Sequence, residues 1–186
     1  NIWAGTEEGI IRYNSKTVKT YHRHSGLPRN MKVRTQAVYI DSQKNIWAGT
    51  ESGLLRYRFE GDSFTWLQPR RPDMAPATIK CIVEDQRQRL WIGTINGVWL
   101  LDFNEDKVPT FTHIVPELNV EAMCLDENRL LLGATKGLFV LDIFNHNVLP
   151  APFNDLASPT GISAILKKDN DIIVGTRNRE IWVVDA

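Results

Sequence analysis

The chain has 186 residues, enough for one substantial hydrophobic core or at most two small domains, and its 42% apolar and 24% charged residues are typical of a globular protein. Its 22 basic and 22 acidic residues balance, which argues against duplex nucleic acid as a partner and against anchoring to an anionic membrane surface. Because no apolar run approaches the ~20 residues needed to span a bilayer, direct membrane insertion is not expected.

The first element along the chain belongs to a repeat. NIWAGTEEGIIRY at residues 1–13 returns as NIWAGTESGLLRY at residues 45–57. Its glycine recurs at intervals of 44, 44, 40 and 42 residues, as Gly5, Gly49, Gly93, Gly133 and Gly175. A second glycine follows four positions later in the first four copies, whereas the fifth copy has Arg179 there; these glycines are Gly9, Gly53, Gly97 and Gly137. A period of ~40–45 residues indicates a repeat architecture.

Each repeat unit contains four short segments of strand character. An apolar run ends near an acidic residue, the IWAGT-like segment follows, a third run starts at the second glycine, and a less regular fourth run ends the unit. All four are rich in β-branched and aromatic residues and are separated by Gly, Asn, Asp and Pro. The sequence therefore predicts an all-β protein with almost no helix, a β-propeller with one four-stranded blade per unit.

The units are incomplete at both ends. In chain order we predict the last three strands of one blade, three complete blades and the first three strands of a fifth, at residues 1–24, 33–68, 78–114, 119–150 and 161–185. The end pieces hold six strands and not the four of one shared blade, so a closed five-bladed ring is not expected. We expect one propeller segment over residues 1–186, an arc of a larger propeller. The start inside a motif suggests a fragment or a processed product.

The repeated landmark residues have structural roles in this interpretation. Trp3, Trp47 and Trp91 should fill the wedge between blades. The first glycine should let neighbouring backbones approach, and the second should supply the positive φ of a turn. An acidic residue should occupy the turn after the first strand and bond to backbone two residues ahead, at Asp41, Asp85, Asp126 and Asp169.

The motifs resemble the two-component regulator propeller repeats, whose pattern is an apolar strand, an Asp, GNLWIGT and GLYRYD. The stretches DSQKNIWAGTESGLLRYR (41–58) and EDQRQRLWIGTINGVWLLD (84–102) carry the resemblance, and SGLPRNMKVRTQAVYID (25–41) is similar to that family's linker. It covers the whole chain and is strongest over residues 1–102. The resemblance implies a seven-bladed propeller in the extracytoplasmic part of a bacterial sensor, followed by a β-sandwich, a membrane helix and a histidine kinase or diguanylate cyclase. It also implies oligosaccharide ligands.

Ligands of propellers usually meet the loops that enter the innermost strands and the turns between the second and third strands. The candidate ligand-binding residues on this rule are Arg29, Asn30, Glu51, Ser52, Arg70, Arg71, Asp73 and Asn96. Arg and Asn side chains can grip sugar hydroxyls or uronate carboxylates through several donors. The alternative for each is a solvated loop residue. Trp66 is either a stacking platform or a contact of its outer strand, and we favour the contact.

Three further sets of residues are candidates for a metal site, a disulfide or a channel site. His22 and His24 could point the same way, but two imidazoles are too few for structural zinc, so surface histidines are favoured. Cys81 and Cys124 are expected to be free and buried, with a disulfide as the weaker alternative. Five positions before an acidic residue, Gln36, Lys80 and Glu121 could line the central channel and bind water or a small polar ligand.

The sequence lacks a GxSxG elbow, a phosphate-binding glycine loop and an HExxH motif, and we predict no catalytic residue, no metal site and no cofactor. The favoured interpretation is part of a periplasmic, ligand-sensing propeller of an inner-membrane receptor. Its expected partners are a small ligand such as an oligosaccharide, the remaining blades and signalling domains of the same polypeptide and, as an alternative, a second copy in a homodimer. The rivals are a non-catalytic protein-protein scaffold and, less favoured, a propeller enzyme.

Overall fold

The computed structural model describes residues 1–29, 31–67, 78–104, 108–151 and 161–185. Over these residues the chain forms eighteen strands in five antiparallel sheets and no helix. The prediction of an all-β propeller segment built from four-stranded units is confirmed.

The five sheets follow one another along the chain, and within each sheet the strands are paired in sequence order. In the described residues the first and fifth sheets have three strands and the others have four. The first sheet is β1 (Ile2–Thr6), β2 (Gly9–Tyr13) and β3 (Val18–Tyr21). The second is β4 (Thr35–Ile40), β5 (Ile46–Thr50), β6 (Gly53–Arg58) and β7 (Ser63–Leu67). The third is β8 (Ile79–Glu84), β9 (Leu90–Thr94), β10 (Gly97–Phe103) and β11 (Pro109–Pro116). The fourth is β12 (Val120–Asp126), β13 (Arg129–Ala134), β14 (Gly137–Asp142) and β15 (Val148–Pro150). The fifth is β16 (Ile162–Lys168), β17 (Asp171–Thr176) and β18 (Ile181–Asp185).

The sheets pack face to face, and a hydrophobic cluster fills the space between each neighbouring pair. Trp47 is buried between the second and third sheets, and Trp91 between the third and fourth. Trp3 is only half-buried, because within the described residues the first sheet is covered on one face alone. Burial of a tryptophan removes ~200 Å² from water, so these side chains carry much of the packing energy.

In the second, third and fourth units the first glycine makes room for a side chain of the next sheet. A Cβ on Gly49 would lie 2.8 Å from the Cβ of Ile79, and one on Gly133 would lie 2.7 Å from Cγ2 of Ile162. The expectation that this glycine lets backbones approach therefore fits only Gly5, where the Cβ would lie 2.6 Å from the carbonyl oxygen of Thr35. In the later units the neighbouring inner strand begins with a branched side chain, and that side chain occupies the space.

The second glycine adopts the left-handed backbone that the turn requires. The φ angles of Gly53, Gly97 and Gly137 are all 123°. A Cβ on Gly97 would overlap the carbonyl oxygen of Val115 on the fourth strand of the same sheet. In the fifth sheet Arg179 takes the turn with a φ of 67°, and the described residues there include no fourth strand.

The acidic residue at the end of the inner strand binds more than the predicted turn backbone. Asp85 accepts a hydrogen bond from the N–H of Arg87, two residues ahead, as expected. Asp41 instead accepts one from the N–H of Asn45, four residues ahead. In the fifth unit Asp169 lies in the turn as predicted, with a φ of 53° and Lys168 paired with Asp171, but its side chain is exposed and makes no hydrogen bond among the described residues.

Asp126 shows how the fourth unit compensates for a lost tryptophan. Leu131 stands where the first three units have Trp, so no indole can reach the carboxylate. Lys167 from the fifth sheet and Arg129 from the start of β13 bind Asp126 instead. The Lys167 hydrogen bond holds the pKa of Asp126 below its usual value despite burial. An ion pair between sheets thus replaces an indole contact within a sheet.

The outer parts of the first two sheets are joined through Asp62. Its carboxylate accepts hydrogen bonds from the hydroxyls of Tyr21 and Tyr57 and from Lys19, and Arg12 donates to it at 3.0 Å. The hydrogen bond from Lys19 is the largest of the effects that hold the pKa of Asp62 far below its usual value. Burial and the bond to Asp62 raise the pKa of Tyr21.

Both cysteines are free, and both are half-buried where full burial was expected. Burial raises the pKa of Cys81 to about 12. Over the described ranges, no helix has the length and apolar character needed to cross a bilayer.

Candidate ligand-binding face

Each complete inner strand begins with a β-bulge. In β8, Ile79 pairs with Thr94 and Cys81 pairs with Gly93, so Lys80 is an extra residue in the ladder. The same register shift sets apart one residue in each of the other inner strands, namely Gln36 in β4, Glu121 in β12 and Ser163 in β16. A bulge bends its strand and redirects the side chain of the extra residue. We call the end of the sheets that carries these bulges the bulge face.

Side chains at the bulges meet one another across the sheets. Lys80 Nζ donates to Gln36 Oε1 at 2.8 Å and lies 3.8 Å from a carboxylate oxygen of Glu121. Arg177, in the turn between β17 and β18, donates to the other oxygen of Glu121 at 2.8 Å. Gln36, Lys80, Glu121 and Arg177 therefore form one polar row, the bulge row, from the second sheet to the fifth. The packing of β4, β8 and β12 side by side brings the first three of these residues together, and their expected place along the central channel stays a prediction.

Backbone hydrogen bonds fix the turns around the bulge row. The N–H of Glu51 donates to the carbonyl of Arg34, and the carbonyl of Glu51 accepts from the N–H of Thr78. The carbonyl of Thr78 in turn accepts from the N–H of Ile95. Because Asn96 follows Ile95, two predicted candidates, Glu51 and Asn96, belong to turns that are linked through a single residue.

Arg34 is a cation at this face that sequence reasoning missed. Its guanidinium lies 3.4 Å from Glu7 and 3.8 Å from Glu51, so it bridges the turns of the first and second sheets. All three side chains are at least partly exposed, and an ion pair in such a setting is worth only about 0–1 kcal/mol. The group is therefore better suited to contact a ligand than to hold the fold.

A cleft of about 380 Å³ opens on the bulge face between the third and fourth sheets. Asn96, Asn119, Lys136 and His113 line it, and the His113 ring stacks on Trp99 with 4.1 Å between ring centroids. A ring nitrogen of His113 lies 3.0 Å from the carbonyl oxygen of Asn96. The buried Oδ1 of Asn119 has no hydrogen-bond partner among the described residues. An acceptor in that state is suited to a hydroxyl or amide donor of a ligand.

The other residues that the sequence predicted as ligand or metal contacts lie in different environments. Arg29 is exposed, and Ser52 is half-buried with its Oγ accepting from the N–H of Lys32 at 2.8 Å. Trp66 on the outer strand β7 is 37% exposed. Asn30, Arg70, Arg71 and Asp73 lie outside the described residues. The rings of His22 and His24 are 6.1 Å apart, and the described part of the chain has no group of three or more metal-ligating side chains.

The sequence contains a signal for some of the residues at the bulge face that were not predicted. Arg177 follows the Gly-Thr landmark of the fifth unit at the same offset at which Glu51 follows that of the second. Aligning the five turns would have included Arg177, whereas His113 and Asn119 lie in the least regular part of the repeat and offered no such pattern. Arg34 directly precedes an inner strand and could have been found from the loop rule itself.

A second cleft, of about 290 Å³, lies at the opposite end of the second and third sheets. It is lined by Trp47, Arg56, Glu84, Asp102 and other residues of both sheets. Arg56 lies over the Trp47 ring at 5.4 Å and donates to Asn45, and Glu84 accepts from Ser42. Glu84 is thus engaged in bonds that join the two sheets, and Arg56 is engaged within the second sheet.

Comparisons with known proteins agree with this architecture. Residues 73–96 match the family model of the two component regulator propeller, which confirms the resemblance in that repeat. No curated protein matches the chain. Among solved structures, the chain is similar to the extracellular domain of the putative hybrid two component system BT3049 from B. thetaiotaomicron, with a TM-score of 0.77 and 21% identity. The alignment covers 99% of this chain and 27% of that one, so this chain spans about a quarter of that domain.

Two further similar structures have other roles. PorZ, a surface component of the type-IX secretion system of Porphyromonas gingivalis, is 13% identical with a TM-score of 0.74, over 98% of this chain and 30% of that one. A catalytically inactive virginiamycin B lyase from Staphylococcus aureus is 15% identical with a TM-score of 0.71, over 99% of this chain and 66% of that one. At such identities the likeness establishes the fold alone.

The fold and the comparisons show that the chain is a segment of a β-propeller, with open sheets at both ends of the described structure. More narrowly, it carries a two component regulator propeller repeat.

Proposed function

We propose that the chain is part of the extracytoplasmic ligand-sensing propeller of a bacterial transmembrane receptor, that it binds a small ligand such as an oligosaccharide, and that it passes the signal to a kinase or cyclase. The family match and the likeness to the extracellular domain of a putative hybrid two component system support the receptor class. On this proposal the domain is periplasmic and non-catalytic, and any kinase or cyclase activity belongs to other domains. The remaining blades and the signalling domains are its partners, with a homodimer as a further arrangement.

The observation that carries the binding proposal is the bulge row. It joins polar side chains of four successive sheets at one face, and Lys80 and Glu121 retain 21% and 15% side-chain exposure. A ligand that contacts several of these groups holds several sheets in one relative arrangement. If the receptor exchanges between two states that differ in the spacing of the sheets, the ligand favours one state by its difference in affinity for the two.

A scaffold that binds other proteins is the second candidate. The fold of PorZ favours it, since PorZ is a component of a secretion system and is similar to this chain. The two candidates differ in where substitutions matter. A scaffold would depend on apolar faces, whereas a sensor depends on the polar bulge row.

Binding of a glycan panel to the complete natural polypeptide tests the proposal. Calorimetry or microscale thermophoresis should find at least one oligosaccharide that binds, and Lys80→Met should weaken that binding about tenfold or more, as expected for loss of a charged hydrogen bond. Lys168→Met is the matched control, because Lys168 is an exposed lysine at the far end of the inner strand β16. If no oligosaccharide binds, or if both variants weaken binding equally, the proposal fails.

A further inference from the structure

Two of the three side-chain acceptor oxygens of the bulge row already accept a hydrogen bond. Gln36 Oε1 accepts from Lys80, and one carboxylate oxygen of Glu121 accepts from Arg177. The second carboxylate oxygen of Glu121 faces Lys80 at 3.8 Å. A ligand that approaches the row therefore finds two of the three acceptor oxygens in use and the third beside the Lys80 ammonium.

The donor groups of the row are only partly used. The amide N–H groups of Gln36 have no partner among the described residues, and Lys80 has three ammonium protons but a single hydrogen bond there, to Gln36. Arg177 uses Nη2 for Glu121, and its remaining guanidinium donors bind nothing else within the described part of the chain. Its side chain is 52% exposed. The unused capacity of the row thus consists of donors on three side chains.

The net charge of the row also favours a ligand that accepts hydrogen bonds. Lys80 and Arg177 carry two positive charges, and Glu121 carries one negative charge between them. The row is therefore cationic by one charge, although the whole chain has a net charge of zero. Lys80 and Glu121 are largely shielded from water, where the attraction between opposite charges is stronger than at an open surface. Ser163, the bulge residue of β16, adds no charge and donates to the carbonyl of Gly175.

We propose that the bulge row binds the anionic group of an acidic saccharide, a uronate carboxylate or a sulfate, with Gln36, Lys80 and Arg177 as hydrogen-bond donors. This inference rests on the proposed function and narrows its ligand class. Carboxylate and sulfate oxygens only accept hydrogen bonds, and charge-assisted bonds from Lys and Arg are the strong ones. Glu121 lies between Lys80 and Arg177, where its negative charge opposes the binding of an anion.

Calorimetry on the complete natural polypeptide with three trisaccharides tests the inference. Trigalacturonate carries carboxylates, a sulfated galactotriose carries sulfates, and galactotriose itself is neutral. At least one acidic probe should bind, and its affinity should fall as NaCl is raised from 50 to about 500 mM, since salt screens exposed charges. Comparison of the two acidic probes tells which anion is preferred.

Two substitutions separate electrostatics from structural damage. Lys80→Met should weaken binding of the acidic probe about tenfold or more, as loss of a charged hydrogen bond does. Glu121→Gln keeps the shape and an acceptor for Arg177 but removes the negative charge, so it should strengthen acidic binding about threefold or more. Lys168→Met, at the opposite end of the sheets, should leave binding unchanged. Weaker binding by Glu121→Gln overturns the inference.

The outcomes distinguish this inference from the proposed function. If galactotriose or another neutral glycan binds and no acidic probe does, the anion inference is overturned while the sensor proposal stands. If no saccharide of any charge binds, both are overturned. If an acidic probe binds and Lys80→Met has no effect, the ligand lies elsewhere and the assignment to the bulge row is overturned.

Discussion

Asp85 accepts a hydrogen bond from the indole N–H of Trp91, six residues further along the chain, at a distance of 2.9 Å. The same carboxylate also binds the Arg89 side chain and the backbone N–H groups of Arg87 and Arg89. Burial alone would raise the pKa of Asp85, but these donors outweigh it and keep the pKa below the usual value. One fully buried carboxylate thus fixes the first turn of the sheet and the orientation of its largest side chain.

We expect Asp85→Asn to lower the free energy of unfolding by about 2–4 kcal/mol, because it removes a buried charge whose donors remain in place. Asp169→Asn is the matched control. Asp169 is exposed in the corresponding turn of the fifth sheet, and Asn tolerates its positive φ, so the change should stay within about 0.5 kcal/mol. Urea denaturation of both variants measures the difference. Equal losses for the two would contradict this account.

The packing of glycines against the next sheet gives a second prediction. Gly49→Ala should destabilise the protein by about 1–3 kcal/mol, because the new methyl group would collide with Ile79. Gly175→Ala should be tolerated, since the nearest atom to its new Cβ is the Ala164 Cβ at 3.4 Å. Thermal unfolding of the two variants makes the comparison. The double variant Gly49→Ala/Ile79→Ala should lose less stability than the sum of its single variants, because the two sites are in contact.

The lowered pKa of Asp62 predicts that the stability of the folded protein depends on pH. Its pKa is lower in the folded state than the unfolded value of about 3.9, so it contributes stability above that pH and loses the contribution as the pH falls below it. Asp62→Asn should therefore be less stable than the wild type at pH 7, by only about 0.5–1.5 kcal/mol because the carboxylate is 37% exposed and screened by solvent, and the difference should shrink below pH 4.

Glu60→Gln serves as the control for that titration, since Glu60 is an exposed acid on the same turn. Chemical denaturation at intervals between pH 7 and pH 2.5 measures both variants. A gap between the wild type and Asp62→Asn that stays constant over this range would rule out the ionised carboxylate as its source.

The second turn of each unit provides a fourth test. Gly97→Ala should destabilise strongly, by about 3 kcal/mol or more, because φ is 123° and the added methyl group would overlap the carbonyl oxygen of Val115. Arg179→Gly should change stability by less than about 1 kcal/mol, since relief of the left-handed Arg is offset by the greater freedom of glycine in the unfolded chain. Differential scanning calorimetry distinguishes the two, and a harmless Gly97→Ala would refute the steric argument.

The fold was predictable because its determinants are local and repeated. The spacing of Gly49, Gly53 and their equivalents marks strand, turn and strand within a few residues, and the pattern needs no long-range information. The partners of the acidic residues were less predictable. Whether Asp126 binds an indole or Lys167 depends on the sheet that packs against it, 41 residues further along the chain.

The candidate site was predictable only in outline. The loop rule selected Glu51 and Asn96, both of which lie at the bulge face, and the channel argument selected Gln36, Lys80 and Glu121. Neither could reveal that Arg177 binds Glu121, because that contact joins residues 56 positions apart. The unpartnered oxygen of Asn119 likewise follows from the packing of two sheets and has no counterpart in the pattern of the repeat.

The bulges also determine which substitutions can alter ligand recognition without disturbing the sheets. A bulge residue stands outside the regular pairing of its ladder, whereas its neighbours on both sides pair with the second strand. A substitution at position 36, 80, 121 or 163 can therefore alter the chemistry presented at the bulge face while the ladder keeps its register. The same segment could be retuned to a new ligand by single exchanges at these four positions, one in each of four successive sheets, and a library restricted to them would sample recognition with little loss of foldability.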